Sequence, residues 1–430
     1  MKAVSGIALK TSLLLQAALC LLVASIPFEY PDRTIPLEIP TLTGTIFLFS
    51  TLLHPRRCYG RLPSAALWFG LYLVAFLLAM VTSSGDHASE ALSEYVIVVQ
   101  GMLVFVAAFN LMRDEKVAAR VLVSLVAACA VRATLPLAGF VRTTSAVWTG
   151  GERVSALGQN ANSAAMILAA GLVALIGLGF MSRRKNGWRL TLLGALTALL
   201  GFAVLETGSR GGLAALLAGV LLFALAADTF RSRLRNGVVA VLGVSLLVIA
   251  TLRLPMMKNR LEESVKTGDL AGREQLYPAL WTMFLEKPVL GWGPVENTYE
   301  LALRVGQRDR PKRAAHNSVL ELLSAIGLVG AIPFMVGVWL SVRSAWLARR
   351  GSHGVLPLAL LGSLFVSNMS GDWIASKLLW VVLAYALASS KWIARTYRPF
   401  TPALSDLRLA GRRAQVPGGP SRTLSPLGGR

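Results

Sequence analysis

Residues 160–181, NANSAAMILAAGLVALIGLGFM, run for 22 positions without a charged side chain. As an α-helix rising 1.5 Å per residue the stretch is about 33 Å long, enough to cross a hydrocarbon core of about 30 Å. In lipid a helix satisfies its own backbone hydrogen bonds, so a run of this kind reads as a transmembrane span. Eleven others resemble it: 8–26, 36–53, 64–82, 92–112, 117–138, 190–206, 211–227, 237–253, 316–341, 354–371 and 374–392. With 54% hydrophobic and 15% charged residues over 430 positions, the chain is too apolar for a soluble multidomain protein. The expectation is an all-α polytopic membrane protein of about twelve transmembrane helices. The first run opens with Lys2 and Lys10 but has no small-x-small cleavage site before Glu29–Asp32, so it is expected to be retained as a helix.

The net charge of +21 invites a nucleic-acid reading, but its distribution argues against one. Every even inter-helix loop is basic: Arg56, Arg57 and Arg61; Arg113 and Lys116; Arg183, Arg184, Lys185 and Arg189; Arg231, Arg233 and Arg235; Arg343, Arg349 and Arg350. The short odd loops carry the acids, among them Glu29, Asp32, Glu38, Asp86, Glu90, Glu94, Glu152, Glu206 and Asp372. The positive-inside rule then puts both termini and the even loops in the cytoplasm and the odd loops on the other side. Cys20 and Cys129 fall within spans and Cys58 in an even loop, so no disulfide framework is expected outside.

Two segments break the rhythm, dividing the chain into 1–253 with nine spans, a large outer loop over 254–315, three spans over 316–394, and a basic tail over 395–430. The tail sets Arg398, Arg408, Arg412, Arg413 and Arg422 among Pro, Gly and Ser, a composition expected to stay disordered near anionic headgroups. Within the loop, Leu276, Leu280, Met283 and Phe284 recur at helical spacing, with Glu274, Glu286 and Lys287 off that stripe. A short amphipathic helix follows, with Pro278 in its first turn, Pro288 ending it, and Gly291-Trp292-Gly293-Pro294 reversing the chain. It is expected to lie on the membrane surface or to cover a cavity.

Among the polar residues at the outer boundary, three draw attention. His316 stands at the mouth of the tenth span, where an imidazole can serve as general base; the plainer reading is a solvated histidine ahead of a capping box of Ser318 and Glu321. Arg210 lies in Thr207-Gly-Ser-Arg-Gly-Gly212, a turn of four to six residues before a helix N-terminus that suits phosphate; its alternative is a snorkelling arginine paired with Glu206. Arg273 opens the amphipathic helix, or is simply solvated. All three map to one side, and two guanidiniums with an imidazole can bind a diphosphate and deprotonate a hydroxyl without a metal. The outer loops hold no Asp-x-Asp and no Cys/His cluster, so neither metal nor cofactor is expected. Trp292 can stack on a sugar or anchor at the interface. Asn160 and Asn162 can bond a glycan or cap a helix.

The order Gly158-Gln-Asn-Ala-Asn162, Thr207-Gly-Ser-Arg210, Gly272-Arg273, Gly291-Trp-Gly293 and His316-Asn317, then Gly327-Leu-Val-Gly330, resembles the O-antigen ligase and polymerase superfamily over roughly residues 150–340. Asn-Ala-Asn stands where the family more often has Asn-Pro-Asn. The resemblance implies a membrane glycosyltransferase of GT-C-like architecture in the bacterial inner membrane, its active site facing the periplasm. It implies transfer of a glycan from undecaprenyl diphosphate, with inversion, to an acceptor hydroxyl such as that of lipid A core. By motif, His316 would be the base and Arg210 and Arg273 the diphosphate ligands, with Asn160, Asn162, Ser209, Trp292 and Asn317 as candidate substrate-binding residues. The alternatives are a polymerase or a protein O-oligosaccharyltransferase of the same superfamily and, from another class, a polysaccharide or lipid transporter. A transporter would place ionisable residues deep in its spans. Here Arg132 and Lys377 lie toward outer ends. Partners are expected to be the lipid-linked donor, the acceptor and membrane lipids, with no nucleic acid.

Overall fold

The computed structural model describes residues 2–29, 38–83, 85, 87–140, 142–146, 151–155, 159–182, 186–253, 272–306, 311–371 and 374–396. Residues 1–393 form one compact unit. A second comprises 394–430, of which only residues 394–396, the end of the helix that begins at Lys377, are described. The basic tail thus lies outside the described residues from 397 on, as does the first part of the ninth loop, 254–271.

Among the described residues the unit is helical apart from one hairpin. In chain order the elements are α1 (Lys2–Ser25), α2 (Ile39–Leu52), α3 (Pro55–Cys58), α4 (Ala66–Ser83), α5 (Ala88–Met112) and α6 (Glu115–Thr134). Next come strands β1 (Arg142–Ala146) and β2 (Gly151–Ser155), then α7 (Ala161–Met181), α8 (Gly187–Glu206), α9 (Arg210–Leu225) and α10 (Phe230–Arg253). The chain continues with α11 (Arg273–Glu286), α12 (Glu296–Arg304), α13 (Ser318–Ala348), α14 (Leu356–Asn368) and α15 (Lys377–Thr396).

Each of the twelve apolar runs holds a helix, so the protein is a polytopic, helical membrane protein. Among the described residues seven helices have the length and hydropathy to span alone, whereas α2, α9 and α14 are shorter, at 14, 16 and 13 residues. Some helices also outrun their apolar segments: Arg231, Arg233 and Arg235 lie on α10 and Arg343 on α13, rather than in loops. Three elements were not anticipated: α3 in the second loop, the hairpin in the fifth, with Arg142 opposite Ser155, and α12.

Loop-to-loop bonds sort the turns by parity. Gln159 Nε2 donates to the carbonyls of Pro27 and Glu29, His87 Nδ1 meets Glu296 Oε1 at 2.8 Å, and Arg273 Nη2 donates to Ser370 O, so odd-numbered turns bond to one another at this end, the first with the fifth and the ninth with the third and eleventh. At the other end Arg350 pairs with Asp228 at 2.7 Å, His353 approaches Glu115 at 3.7 Å, and the Arg235 guanidinium lies over Phe180. This division is the one the loop charges led us to expect.

The core centres on Trp380 of α15, fully buried and ringed by Phe69 of α4, Phe105 of α5 and Phe334 of α13 at centroid distances of 5.2, 6.1 and 6.4 Å. Such edge-on aromatic contacts add to dispersion, which drives association where lipid tails compete equally for apolar surface. α13 packs along α4, and α9 along α7 and α14, bringing the first turn of α9 and the N-terminus of α13 to the odd-loop end.

Candidate functional site

The site is assembled on the turn that follows α14. Arg273, first residue of α11, extends Nη2 to the carbonyl of Ser370 at 3.2 Å, and Tyr277, one helical turn on, donates its hydroxyl to the carbonyl of Met369 at 3.1 Å. Gly272 before it has φ +79°, a left-handed conformation that lets the loop turn sharply into the helix. From α13, Ser318 Oγ lies 3.1 Å from Asn368 Oδ1 and 3.0 Å from Gly371 O. From α9, Gly211 touches the same turn, since a Cβ there would run into Ser370 Oγ. Arg210, Arg273 and His316, distant in sequence, are thus each carried by an element seated on residues 368–371.

Local sequence fixes each carrier. Ser209 caps α9 by accepting from Gly212 N at 3.2 Å, and its hydroxyl is buried. The turn ahead of α9 is therefore only Thr207–Ser209, shorter than expected, and Arg210 sits in the first helical turn, where the backbone dipole favours an anion. Asn317, not Ser318, caps α13: its Oδ1 accepts from Val319 N and Leu320 N at 3.1 and 3.2 Å. The capping box is thereby overturned, because with Asn317 as cap Glu321 falls one position beyond the third helical residue, and Ser318 faces the neighbouring turn. His316 itself has φ +51°, a strained conformation for a residue with a Cβ, held between buried Ala315 and the capped helix.

α11 buries the expected stripe of Leu276, Leu280, Met283 and Phe284. With Leu301 of α12 and Ala315, the first three form a small core of their own, so the helix folds over the end of α13. Pro278 lies in the second turn rather than the first and, lacking an N–H, donates no backbone bond to the turn before it. α12 shows its signal in Asn297, Leu301 and Ala302, one buried face spaced at a helical period. Arg304, braced by Glu300 of the same helix at 2.7 Å, fastens it to the end of α11 through Glu286 at 2.6 Å, a bond that holds the Glu286 carboxyl below its usual pKa.

The Gly291-Trp292-Gly293 loop has a structural explanation. α13 opens at Gly327, whose φ of +58° and ψ of −163° are accessible essentially to glycine alone. The break frees backbone groups that pair with the loop: Trp292 N to Ser324 O and Gly293 N to Ala325 O at 2.8 Å, Leu328 N to Pro288 O at 2.9 Å, Val329 N to Val289 O at 3.2 Å. Trp292 also donates Nε1 to Met283 O at 2.9 Å, and its ring carries Lys287 Nζ at 3.7 Å and the Arg304 guanidinium at 5.0 Å. The indole therefore pins the loop. It lines a cleft of about 790 Å³, at the same end, with His87, Glu296 and Tyr299.

Asn160 caps α7 by accepting from Asn162 N at 2.9 Å, and Asn162 occupies the first turn. Gly158 lies outside the described residues. Sequence reasoning missed Tyr277, Ser318 as a bridging residue, and the turn itself. Beside that turn a cavity of about 350 Å³ opens at Ser318 and Asn368 and runs between α13, α14 and α15 among Leu322, Phe334, Val338, Leu361 and Leu383. Among the described residues no three His, Cys, Asp or Glu side chains gather as metal ligands would.

No curated protein matches the chain. Residues 195–335 match the family model described as O-antigen ligase. Arg210, Arg273, His316 and the Gly327 break all fall inside that stretch, whereas the turn at 368–371 lies beyond it, and over those residues the chain is similar to that family.

Proposed function

We propose that the protein is an O-antigen ligase-type glycosyltransferase, moving a glycan from undecaprenyl diphosphate to a hydroxyl of lipid A core on the periplasmic side of the bacterial inner membrane. The observation that carries this reading is the meeting of three cationic or basic carriers on residues 368–371, at the mouth of an apolar cavity. A diphosphate bearing a long prenyl chain needs both features side by side. Its anion takes Arg210 and Arg273, and its hydrocarbon takes the space among Leu322, Phe334, Val338 and Leu361.

In the reaction the acceptor oxygen attacks the anomeric carbon from the face opposite the diphosphate. The new C–O bond forms as the bond from that carbon to the phosphate oxygen breaks, so configuration inverts. The hydroxyl proton passes to the His316 imidazole. Negative charge growing on the departing diphosphate is met by the two guanidiniums and the N-terminus of α9, which supply the electrostatic stabilisation without a metal.

The alternating loop charges support the outward orientation, with both termini inside. Reconstitution with an undecaprenyl-diphosphate glycan, with and without lipid A core, tests the assignment. Glycan on the core is the expected product; elongated carrier-linked chains in both reactions would make the protein a polymerase.

A further inference from the structure

Resting on that reading, we propose that Ser318 is a positioning residue for the general base. His316 precedes it by two positions and adopts a left-handed backbone conformation, φ +51°, which must be held in place by its surroundings. On the near side that support is Ala315, buried in the small core under α11, and on the far side Asn317, whose side chain closes the helix cap. Neither ties His316 to the part of the molecule on which the diphosphate ligands sit. Ser318 does: its buried hydroxyl reaches Asn368 Oδ1 and Gly371 O, on the turn whose Ser370 carbonyl receives Arg273 and whose Ser370 side chain abuts Gly211.

Asn368 is well fixed for this purpose. Its Nδ2 donates to Leu364 O at 2.8 Å within α14, so Oδ1 is presented in a set direction. Ser318 thus joins the segment that carries His316 to that turn. A capping serine would have spent its hydroxyl on its own helix, and Asn317 has relieved Ser318 of that task. A base displaced by about 1 Å can cost on the order of 100-fold in rate, so a single bridging hydroxyl carries a large kinetic consequence.

The test uses the full-length protein in proteoliposomes with an undecaprenyl-diphosphate glycan and lipid A core, comparing wild type with S318A, S318C, S318T and H316A. S318A and S318C are expected to lower kcat by about 10- to 100-fold. The donor KM should stay within about twofold and the thermal midpoint near wild type, with S318T recovering most of the rate. Cysteine fills the serine's space while donating poorly, so S318C decides the matter if S318A does not fold. Wild-type kcat in a folded S318A or S318C, or a kcat loss that S318T does not reverse and that follows the thermal midpoint, would overturn the inference. Inactive H316A beside normal S318A and S318C would remove only the positioning role. Full activity in H316A would remove the proposed base, and this inference with it.

Discussion

Arg273 and Ser370 are 97 residues apart in sequence, yet Nη2 of the first donates to the backbone carbonyl of the second at 3.2 Å. The bond uses one edge of the guanidinium and fixes its plane against the turn that also receives α9 and α13. A guanidinium held this way offers its other donors in a set fork, the geometry a diphosphate accepts. Arg273→Ala is therefore expected to lower glycan transfer by about 100-fold or more, as loss of a transition-state donor does elsewhere. Arg273→Lys should recover only part, because an ammonium cannot serve the turn and the substrate together. Equal rates for the Lys variant and wild type, measured as initial velocities in proteoliposomes, would show that geometry at this position is unimportant.

Gly211 is a contact site, since any Cβ there meets Ser370 Oγ. Gly211→Ala should push α9 from the turn and lower transfer at least about tenfold. Adding Ser370→Gly clears the space and leaves the carbonyl used by Arg273 untouched, so the double variant is expected to regain most of the lost rate. Additive losses in this cycle would mean that the two residues do not interact.

Much of this architecture is legible in the sequence. Apolar run length located a helix at each of twelve places, seven of them long enough to span alone, and loop charge sorted the turns, because both follow from the energetics of lipid and headgroup. The stripe of Leu276, Leu280 and Met283 gave α11. The turn at 368–371 was not legible: it enters the site through backbone carbonyls, which every residue has, and so leaves no pattern in residue type. Ser318 was misassigned for a related reason. Ser-x-x-Glu at 318–321 imitates a capping box, and only the Asn317 bonds reveal that the cap lies one residue earlier. Trp292 reads in the sequence as a sugar platform or, more commonly for this residue, an interfacial anchor, and its actual partners, Met283 O, Lys287 and Arg304, come from three different positions.

At Gly327 the backbone combines φ +58° with ψ −163°, and a Cβ would collide with the carbonyl of Val289. Gly327→Ala is expected to destabilise the protein by about 1–3 kcal/mol from backbone strain alone, with the collision adding to it. The loosening should be local first. Hydrogen exchange at the amides of Trp292 and Gly293, which pair with Ser324 and Ala325, should accelerate before the thermal midpoint of the whole unit moves far. Unchanged protection at those two amides would contradict the interlock.

At the opposite end, His353 is buried with Nδ1 2.7 Å from the Tyr385 hydroxyl and its ring 4.5 Å from Trp392. Burial lowers its pKa to about 4, although Glu115 acts in the other direction. A folded value below the unfolded one means that the unfolded chain takes up the proton first. Stability from this residue is complete above about pH 6.5 and falls as pH drops toward 4, by up to about 3 kcal/mol. Thermal midpoints from pH 7.5 to 4.5 should decline for wild type and decline less for His353→Gln. A parallel decline in both proteins would assign the acid sensitivity to other groups.

The central claim is that His316 takes the proton from the acceptor hydroxyl while the diphosphate is held beside it. The most direct measurement is single-turnover transfer from a radiolabelled undecaprenyl-diphosphate glycan to lipid A core, comparing wild type with His316→Ala in proteoliposomes, with donor binding recorded on the same samples. The account predicts that the variant binds donor within about twofold of wild type and transfers at least about 100-fold more slowly. Transfer at the wild-type rate by a variant that binds donor normally would contradict it.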